Sequence, residues 1–236
     1  MTNDSTQSRS AVFHMHMSEF WSGDLGLTLV TISLVFLVFV ITPLREVGLP
    51  GRFFFDLIVV TLMVSGALQL KQSRIATGFV ITIVFVSAVL LWFGRLYPTT
   101  TLHQIGSVFS TITLLIYVRI VLLVMFRSGP VTWSRIQGGV CAYLLLGMAW
   151  ASAFQVIEEV HPGSFHFLSA PADIDQLTAK LTYFSFATLT TVGSDISPLH
   201  PFARSLTIAE SMVGQLFPAI LIGALVAMAM QARSKS

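Results

Sequence analysis

Residues 181–198 read Leu-Thr-Tyr-Phe-Ser-Phe-Ala-Thr-Leu-Thr-Thr-Val-Gly-Ser-Asp-Ile-Ser-Pro, and this stretch decides how the rest of the sequence is organised. Its first half has the spacing of a short amphipathic helix, which we predict to extend over about Gln176 to Leu189. The helix leads directly into Thr190-Thr-Val-Gly193, where the glycine permits backbone conformations that a side chain forbids. The stretch therefore predicts a short helix followed by a segment of unusual backbone conformation.

The composition identifies an integral membrane protein. Hydrophobic residues make up 54% of the 236 residues and charged residues only 10%, which excludes a soluble globular domain. The formal net charge of +2, with basic residues scattered between apolar runs, argues against a nucleic-acid partner. The single cysteine, Cys141, lies inside an apolar run, so no disulfide forms within the chain and a packing role is expected.

Six apolar runs approach the roughly 20 residues that a helix needs to cross the hydrocarbon core of a bilayer. They are Leu25 to Thr42, Phe53 to Leu70, Ile75 to Phe93, Ile105 to Phe126, Gly138 to Ile157 and Ser205 to Met230. The helix predicted over Gln176–Leu189 is too short to span, so it should enter the membrane, stop and return as an extended segment. We therefore predict an all-α membrane protein with six transmembrane helices and a re-entrant helix between helices 5 and 6.

The tetrapeptide Thr190-Thr-Val-Gly193, placed between two spans and followed by Asp195-Ile-Ser-Pro198, resembles the selectivity filter of potassium channels. Over about residues 135–231 the sequence is similar to bacterial potassium channels with a single pore loop. The resemblance implies that a pore helix precedes Thr190 and that the carbonyls of Thr191, Val192 and Gly193 bind potassium in place of its water shell. It implies no cofactor, only permeant K⁺, with Na⁺ as the alternative ion.

The sequence departs from the family's TVGYG filter after Gly193. Either Ser194 and Asp195 occupy the positions of the aromatic residue and the second glycine, or one residue is missing and Asp195 matches the aspartate that follows the filter. We favour the deletion because Asp195-Ile-Ser-Pro198 then falls in register. Both alternatives remove the aromatic residue that helps to hold the filter at its width. Potassium conduction is thus the first hypothesis, and a non-selective monovalent cation pore (Na⁺ and K⁺) is the alternative.

Asp195 and the sixth apolar run supply further candidates. Asp195 would form either a ring of carboxylates at the pore mouth or a hydrogen-bonded brace behind the filter. Gly214, followed by Pro218, and Gly223 are candidates for a gating hinge because helix hydrogen bonding is weakened there. For Gly214, close packing against the pore helix is the alternative. Glu210 is the only acid deep in this run and is a candidate for filter support, either as a protonated group or as a brace behind the filter.

The segment from Glu158 to Asp175, which contains prolines and glycine, is expected to form an outer loop before the pore helix. Asp173 or Asp175 should cap that helix. His200 lies near the outer mouth, where an exposed loop residue is favoured over a proton sensor. The sequence contains no nucleophile elbow, phosphate loop or metal-spaced cluster, so we predict that the protein is not an enzyme.

We divide the chain into four parts: a polar, interfacial N-terminus (1–24), a four-helix membrane module (25–127), a pore domain (135–231) and a short cytoplasmic tail (232–236). The module has the position of a voltage sensor but lacks its arginine ladder. Its fourth run carries only Arg119, with Arg127 at the end, whereas steep gating needs about 3–4 charges per subunit. We expect weak or no intrinsic voltage dependence, and no cytosolic regulatory domain within these residues.

If the N-terminus is cytoplasmic, seven Lys and Arg residues lie on the inner side of the membrane and five on the outer side. This bias favours cytoplasmic N- and C-termini and an extracellular pore loop in the cell membrane. One chain cannot enclose the filter, so the protein should assemble with itself in the lipid bilayer. The resemblance implies a homotetramer, and the shortened filter leaves other ring sizes open. A non-conducting membrane sensor or accessory subunit that has kept the pore fold is the alternative from another functional class.

Overall fold

The computed structural model describes residues 24–47, 100–126 and 133–233, together with the single helical residues 82, 86 and 89. The predicted interfacial N-terminus up to residue 23, almost all of the second and third apolar runs, Arg127 and the last three residues of the tail lie outside the described residues. The described part is almost entirely helical, in agreement with the predicted all-α class.

In the part of the chain that the structure describes, the elements are six α-helices, one π-helical turn and two short strands that pair across α5. They are α1 (Asp24–Phe36), a π-helical turn (Leu37–Ile41), α2 (Thr42–Glu46), α3 (Thr100–Met125), α4 (Trp133–Val160), β1 (Phe165–His166), α5 (Ile174–Leu189), β2 (Ser197–Pro198) and α6 (Pro201–Arg233). Strands β1 and β2 pair in antiparallel orientation. Three described helices are long and apolar enough to cross a membrane, over His103–Leu123, Arg135–Val160 and Pro201–Met230. They correspond to the fourth, fifth and sixth predicted runs.

The first apolar run does not end at Pro43, because the helix continues to Glu46 through the π-helical turn. Pro43 lies in the first turn of α2, where a missing N–H is tolerated. The backbone N–H and the side-chain hydroxyl of Thr42 both donate to the carbonyl of Leu37. The continued helix brings Arg45 and Glu46 to α5, which α2 contacts.

Helix α4 is the centre of the described part, since α1, α3, α5 and α6 all contact it. Its small residues allow neighbouring helices to approach closely. A Cβ added to Gly147 would lie 2.7 Å from the Phe186 ring of α5, and one added to Gly139 would lie 2.5 Å from Leu221 of α6. Cys141 is fully buried in the cluster that α4 forms with α1 and α3, which agrees with a packing role.

A second apolar cluster holds the residues around the end of α5. Phe154 of α4 contacts Phe165 of β1 and Phe184 of α5 edge to face, with ring centroids 5.5 and 5.1 Å apart. Ile196, which follows the filter-like stretch, and Ala203 of α6 are buried in the same cluster. The burial of Ile196 therefore holds the segment between α5 and α6 against this apolar cluster.

Candidate functional site

Helix α5 begins at a capped N-terminus, close to the start predicted from the sequence. The carboxylate of Asp173 accepts a hydrogen bond from the Gln176 N–H at 2.9 Å, and the Gln176 side chain accepts one from the Ala172 N–H at 2.9 Å. These reciprocal bonds satisfy two backbone donors that the helix leaves open. Of the two predicted capping residues, Asp173 caps the helix, whereas Asp175 forms an ion pair with Arg45 of α2.

Residues 190–193 fold back over the C-terminal end of α5. Thr191 and Gly193 have positive φ angles of 58° and 90°. Such left-handed residues are usual at helix C-termini, where they let backbone N–H groups reach the last carbonyls. The N–H of Thr190 donates to Phe186, that of Thr191 to Thr188, and those of Val192 and Gly193 to Ala187, at 2.9–3.3 Å. We expected an extended segment here, and this expectation was wrong for its start because capping of α5 draws the N–H groups back onto the helix.

The backbone carbonyl oxygens of residues 190–193 differ from their N–H groups, because they form no hydrogen bond with α5. Within the described part of the chain, none of them accepts a hydrogen bond. Residues 190–193 are exposed, and Val192 is 82% exposed. Because α5 takes up the N–H groups, the oxygens remain available to a ligand that needs acceptors, such as a cation.

We expect that Thr191→Gly raises the stability of the folded protein by about 1 kcal/mol, although it removes a hydroxyl from the candidate site. A β-branched residue at a positive φ angle costs roughly 1–3 kcal/mol, and glycine adopts this conformation without that cost. Thr190→Gly is the matched control, because Thr190 has a negative φ angle of −89° and should lose stability on replacement. Thermal unfolding in detergent measures both. Equal losses of stability in the two variants would contradict a strained Thr191.

Asp195 faces a cavity of about 240 Å³ beside the end of α5. The cavity is also lined by Tyr183 and Lys180 of α5 and by Glu46 of α2. The neighbouring Ser194 side chain accepts a hydrogen bond from the Ile196 N–H at 3.0 Å, which turns the chain toward the buried Ile196. Asp195 thus lies beside side chains of α5 and α2 in its own chain.

The C-terminal carbonyl of α5 is held from two sides. The Tyr143 hydroxyl of α4 donates to the Leu189 carbonyl at 3.2 Å. Gly214 of α6 packs so closely on the same carbonyl that a Cβ at this position would overlap it. Close packing, one of the two roles predicted for Gly214, is therefore present, whereas Gly223 has no neighbour within 4 Å of an added Cβ. Pro218 lies within α6, which remains a single helix.

Glu210 lies four residues before Gly214 and is fully buried. Its Oε1 atom is 2.5 Å from the hydroxyl oxygen of Ser185, in the middle of α5. The same hydroxyl is 2.7 Å from the carbonyl of Gly147 in α4. Glu210 therefore contacts the pore-helix candidate itself and not residues 190–195. We name this contact of Gly147, Ser185 and Glu210 the Ser185 contact.

Comparison with protein families gives a match over residues 140–231 to a family described as ion channel. This match covers less than half of the 236 residues, and it supports membership of the potassium channel superfamily. Comparison with curated proteins gave no match, and comparison with solved structures gave none. The matched part of the channel contains most of α4, all of α5, residues 190–195 and almost all of α6. The family consists of channels, which confirms that the protein is not an enzyme, and such channels assemble as oligomers in membranes.

Helix α2 contacts the first half of α5 through two ion pairs. Arg45 pairs with Asp175, and both side chains are mostly buried, with 8% and 15% exposed. The Lys180 Nζ atom lies 3.3 Å from the carboxylate of Glu46, which is 45% exposed. Neither pair was predicted from the sequence. The sequence shows that Arg45 and Glu46 lie just beyond the first apolar run. This position does not indicate which residues pair with them.

Helix α3 is joined to the channel's α4 and α5 by a polar network that the sequence did not predict. Ser107 of α3 donates to the Glu159 carboxylate at 3.1 Å, and Gln104 donates to the Glu159 backbone carbonyl at 2.7 Å. Gln155 donates to the same carboxylate at 2.8 Å and accepts from Thr178 of α5 at 3.0 Å. The network connects three helices near the outer loop, within the described residues.

The outer loop of the channel is tied to the segment that follows the filter-like residues. The Ser164 carbonyl accepts hydrogen bonds from the N–H groups of Leu199 and His200 at 2.7 and 3.2 Å. The His200 ring stacks on the ring of His161, with centroids 4.8 Å apart. His200 is therefore neither fully exposed nor isolated, and the role of His161 was missed because the two residues are distant in sequence.

Proposed function

We propose that this protein is the pore-forming subunit of a cation channel that conducts potassium passively across the membrane. The observation that carries the proposal is the state of residues 190–193, whose N–H groups bond to α5 while their carbonyls accept no hydrogen bond within the described part. The C-terminal end of α5 adds the negative end of the helix dipole close to these oxygens. Both features favour a cation and disfavour an anion.

In this proposal the carbonyls of Thr191, Val192 and Gly193 bind K⁺, with the Thr190 and Thr191 hydroxyls at the inner end. In the favoured alignment one residue is missing after Gly193 and Asp195 matches the aspartate that follows the family's filter, so one ring of oxygens is absent. Asp195 is exposed and lines the cavity beside Tyr183, so the proposal keeps both roles, a brace behind the filter and a ring of carboxylates at the mouth. A non-selective Na⁺ and K⁺ pore remains the alternative.

We propose a homotetramer that buries the free face of α6. Only 6% of the candidate membrane span in α6 is buried within one chain, against 50% for α4. Its exposed apolar side chains recur every four residues along much of the helix: Ile208, Met212, Leu216 and Ile220. Such a face needs cover from lipid, from other copies of the helix or from both. A different number of subunits is the alternative, because the filter is shorter than in the family.

The proposed topology has six transmembrane helices, a re-entrant α5, cytoplasmic termini and an outer loop on the outside of the plasma membrane. The Arg45–Asp175 pair supports the arrangement, since it joins the end of the first predicted span to the start of α5 on the side predicted to be extracellular. Weak voltage dependence is part of the proposal. Helix α3 carries a single arginine, Arg119, and its Ser107 is bonded to Glu159 of α4.

We expect purified protein in liposomes with mixed K⁺ and Na⁺ to reverse near the equilibrium potential of K⁺. Gly193→Ala should move the reversal potential toward zero, because alanine at a φ angle of 90° costs roughly 1–2 kcal/mol and distorts the site. Gly163→Ala is the matched control, since Gly163 has a φ angle of 85° but lies in the outer loop.

Two other results of the liposome measurement would change the proposed function. Equal K⁺ and Na⁺ permeability in the unaltered protein would support the non-selective alternative. Absence of K⁺, Na⁺, Rb⁺ and Cs⁺ flux under every gating condition would contradict a channel and favour the non-conducting sensor or accessory subunit.

A further inference from the structure

The Ser185 contact joins three helices at a point where all polar atoms are withdrawn from solvent. Ser185 and Glu210 both have no exposed surface. The Ser185 oxygen lies 2.7 Å from the Gly147 carbonyl and 2.5 Å from the Glu210 Oε1 atom. Both distances are those of hydrogen bonds, and a carbonyl oxygen can only accept.

The number of hydrogens decides the state of Glu210. A serine hydroxyl carries one hydrogen, so it can donate to Gly147 or to Glu210 but not fully to both. If the carboxylate is ionised, it can only accept, and one of the two short contacts lacks a hydrogen. We propose that Glu210 holds a proton, donates it to Ser185, and thereby forms a proton-dependent link between α6, α5 and α4. The proposal rests on the proposed function only in assigning α5 and α6 to the pore.

The surroundings of Glu210 also disfavour a charge. Its Oε2 atom is buried and has no hydrogen-bond partner in the described residues. No Lys, Arg or His among the described residues forms an ion pair with it. The titratable group that faces it from α4 is Tyr143, whose hydroxyl donates to the Leu189 carbonyl. A buried carboxylate without a cation or a full set of donors is costly, so the neutral form is the one this site accommodates.

The position of the link explains what it does in a channel. Glu210 and Gly214 are four residues apart, so they lie on one face of α6. The first contacts the middle of α5 and the second contacts its C-terminal carbonyl. Movement of α6 is therefore passed to the helix that carries residues 190–193. Loss of the proton leaves a negative charge between α6 and α5 and weakens this contact.

Infrared spectroscopy of the assembled protein in lipid tests the proposal directly. We expect a C=O stretching band of a protonated carboxylic acid at neutral pH that is absent in Glu210→Gln and retained in the control Glu158→Gln, which removes a carboxylate in the last turn of α4. Ser185→Ala should shift the band to higher frequency, since the acid loses its acceptor. In the unaltered protein, the band should disappear as the pH is raised. Absence of any band that depends on Glu210 at neutral pH would overturn the proposal.

Flux measurements provide a second readout. We expect K⁺ flux through the unaltered protein to fall reversibly at alkaline pH, and this fall to be missing in Glu210→Gln, which cannot ionise. The same alkaline fall in both proteins would count against the link. Because the infrared band does not require conduction, a protein that shows the band without any flux retains the link and refutes the proposed channel function. A protein that conducts K⁺ but lacks the band retains the proposed channel function and refutes the link.

Discussion

Gly214→Ala is expected to abolish cation flux and to prevent stable assembly, whereas Gly223→Ala leaves both close to those of the unaltered protein. A Cβ at Gly214 would overlap the carbonyl of Leu189, a backbone group at the end of α5. This group cannot move without displacing residues 190–193, so we expect a loss of about 3 kcal/mol or more, at the upper end of what overpacking costs. At Gly223 an added Cβ meets no atom within 4 Å, and alanine favours the helix by about 1 kcal/mol.

Size-exclusion chromatography and K⁺ flux from liposomes at equal protein content measure these two effects. The pair of variants separates the roles that the sequence left open for the glycines of α6. Impaired flux with normal assembly in Gly223→Ala would indicate a hinge at this position. Normal assembly and flux in Gly214→Ala would refute the close contact between α6 and α5.

Removing one partner of the Arg45–Asp175 pair is expected to lower the free energy of unfolding by roughly 3–5 kcal/mol. The two side chains are only 8% and 15% exposed, so the remaining charge would stay in a poorly solvated position. Asp175 lies in the first turn of α5, where a negative charge also interacts favourably with the helix dipole. We therefore expect Arg45→Leu and Asp175→Leu to destabilise the protein and to loosen the contact of α2 with α5.

The Lys180–Glu46 pair supplies the matched control on the same two helices. Glu46 is 45% exposed, and solvent screening limits such a pair to about 0–1 kcal/mol. Glu46→Gln should therefore change stability little. Chemical denaturation in detergent micelles compares the unaltered protein with the three single variants and with a variant in which both Arg45 and Asp175 are replaced. If Arg45→Leu and Glu46→Gln have equal effects, the Arg45–Asp175 pair does not hold α2 to α5. The variant with both residues replaced should be more stable than either single variant, because no unpaired charge remains.

Much of the fold followed from local sequence patterns. The runs that became α3, α4 and α6 were visible because length and apolar composition alone determine whether a helix can cross a bilayer. The start of α5 was predicted to within a few residues because Asp173 caps its own helix through a backbone N–H three residues away. The resemblance to a channel rested on the consecutive residues 190–193, and the family match over 140–231 agrees with it.

Other features depended on contacts that local patterns do not contain. The continuation of the first helix past Pro43 required a π-helical turn, and the turn at Thr191 required the carbonyls of α5 as acceptors. Arg45 and Asp175 are 130 residues apart in sequence, and nothing in either neighbourhood identifies the other. Glu210 was a candidate from the sequence because it is an acid in an apolar run. Only its contact with Ser185 showed which helix it faces.

The sequence by itself determined that this is a membrane protein with a channel-type pore segment, because solvation in lipid and helix capping act over short stretches of chain. The tertiary structure decided how that segment is supported. It showed which groups bond to the Thr190–Gly193 backbone, which helix Glu210 contacts and why Gly214 has no side chain. These properties depend on the distances between helices, and a distance between helices is set by the packing of residues far apart in the chain.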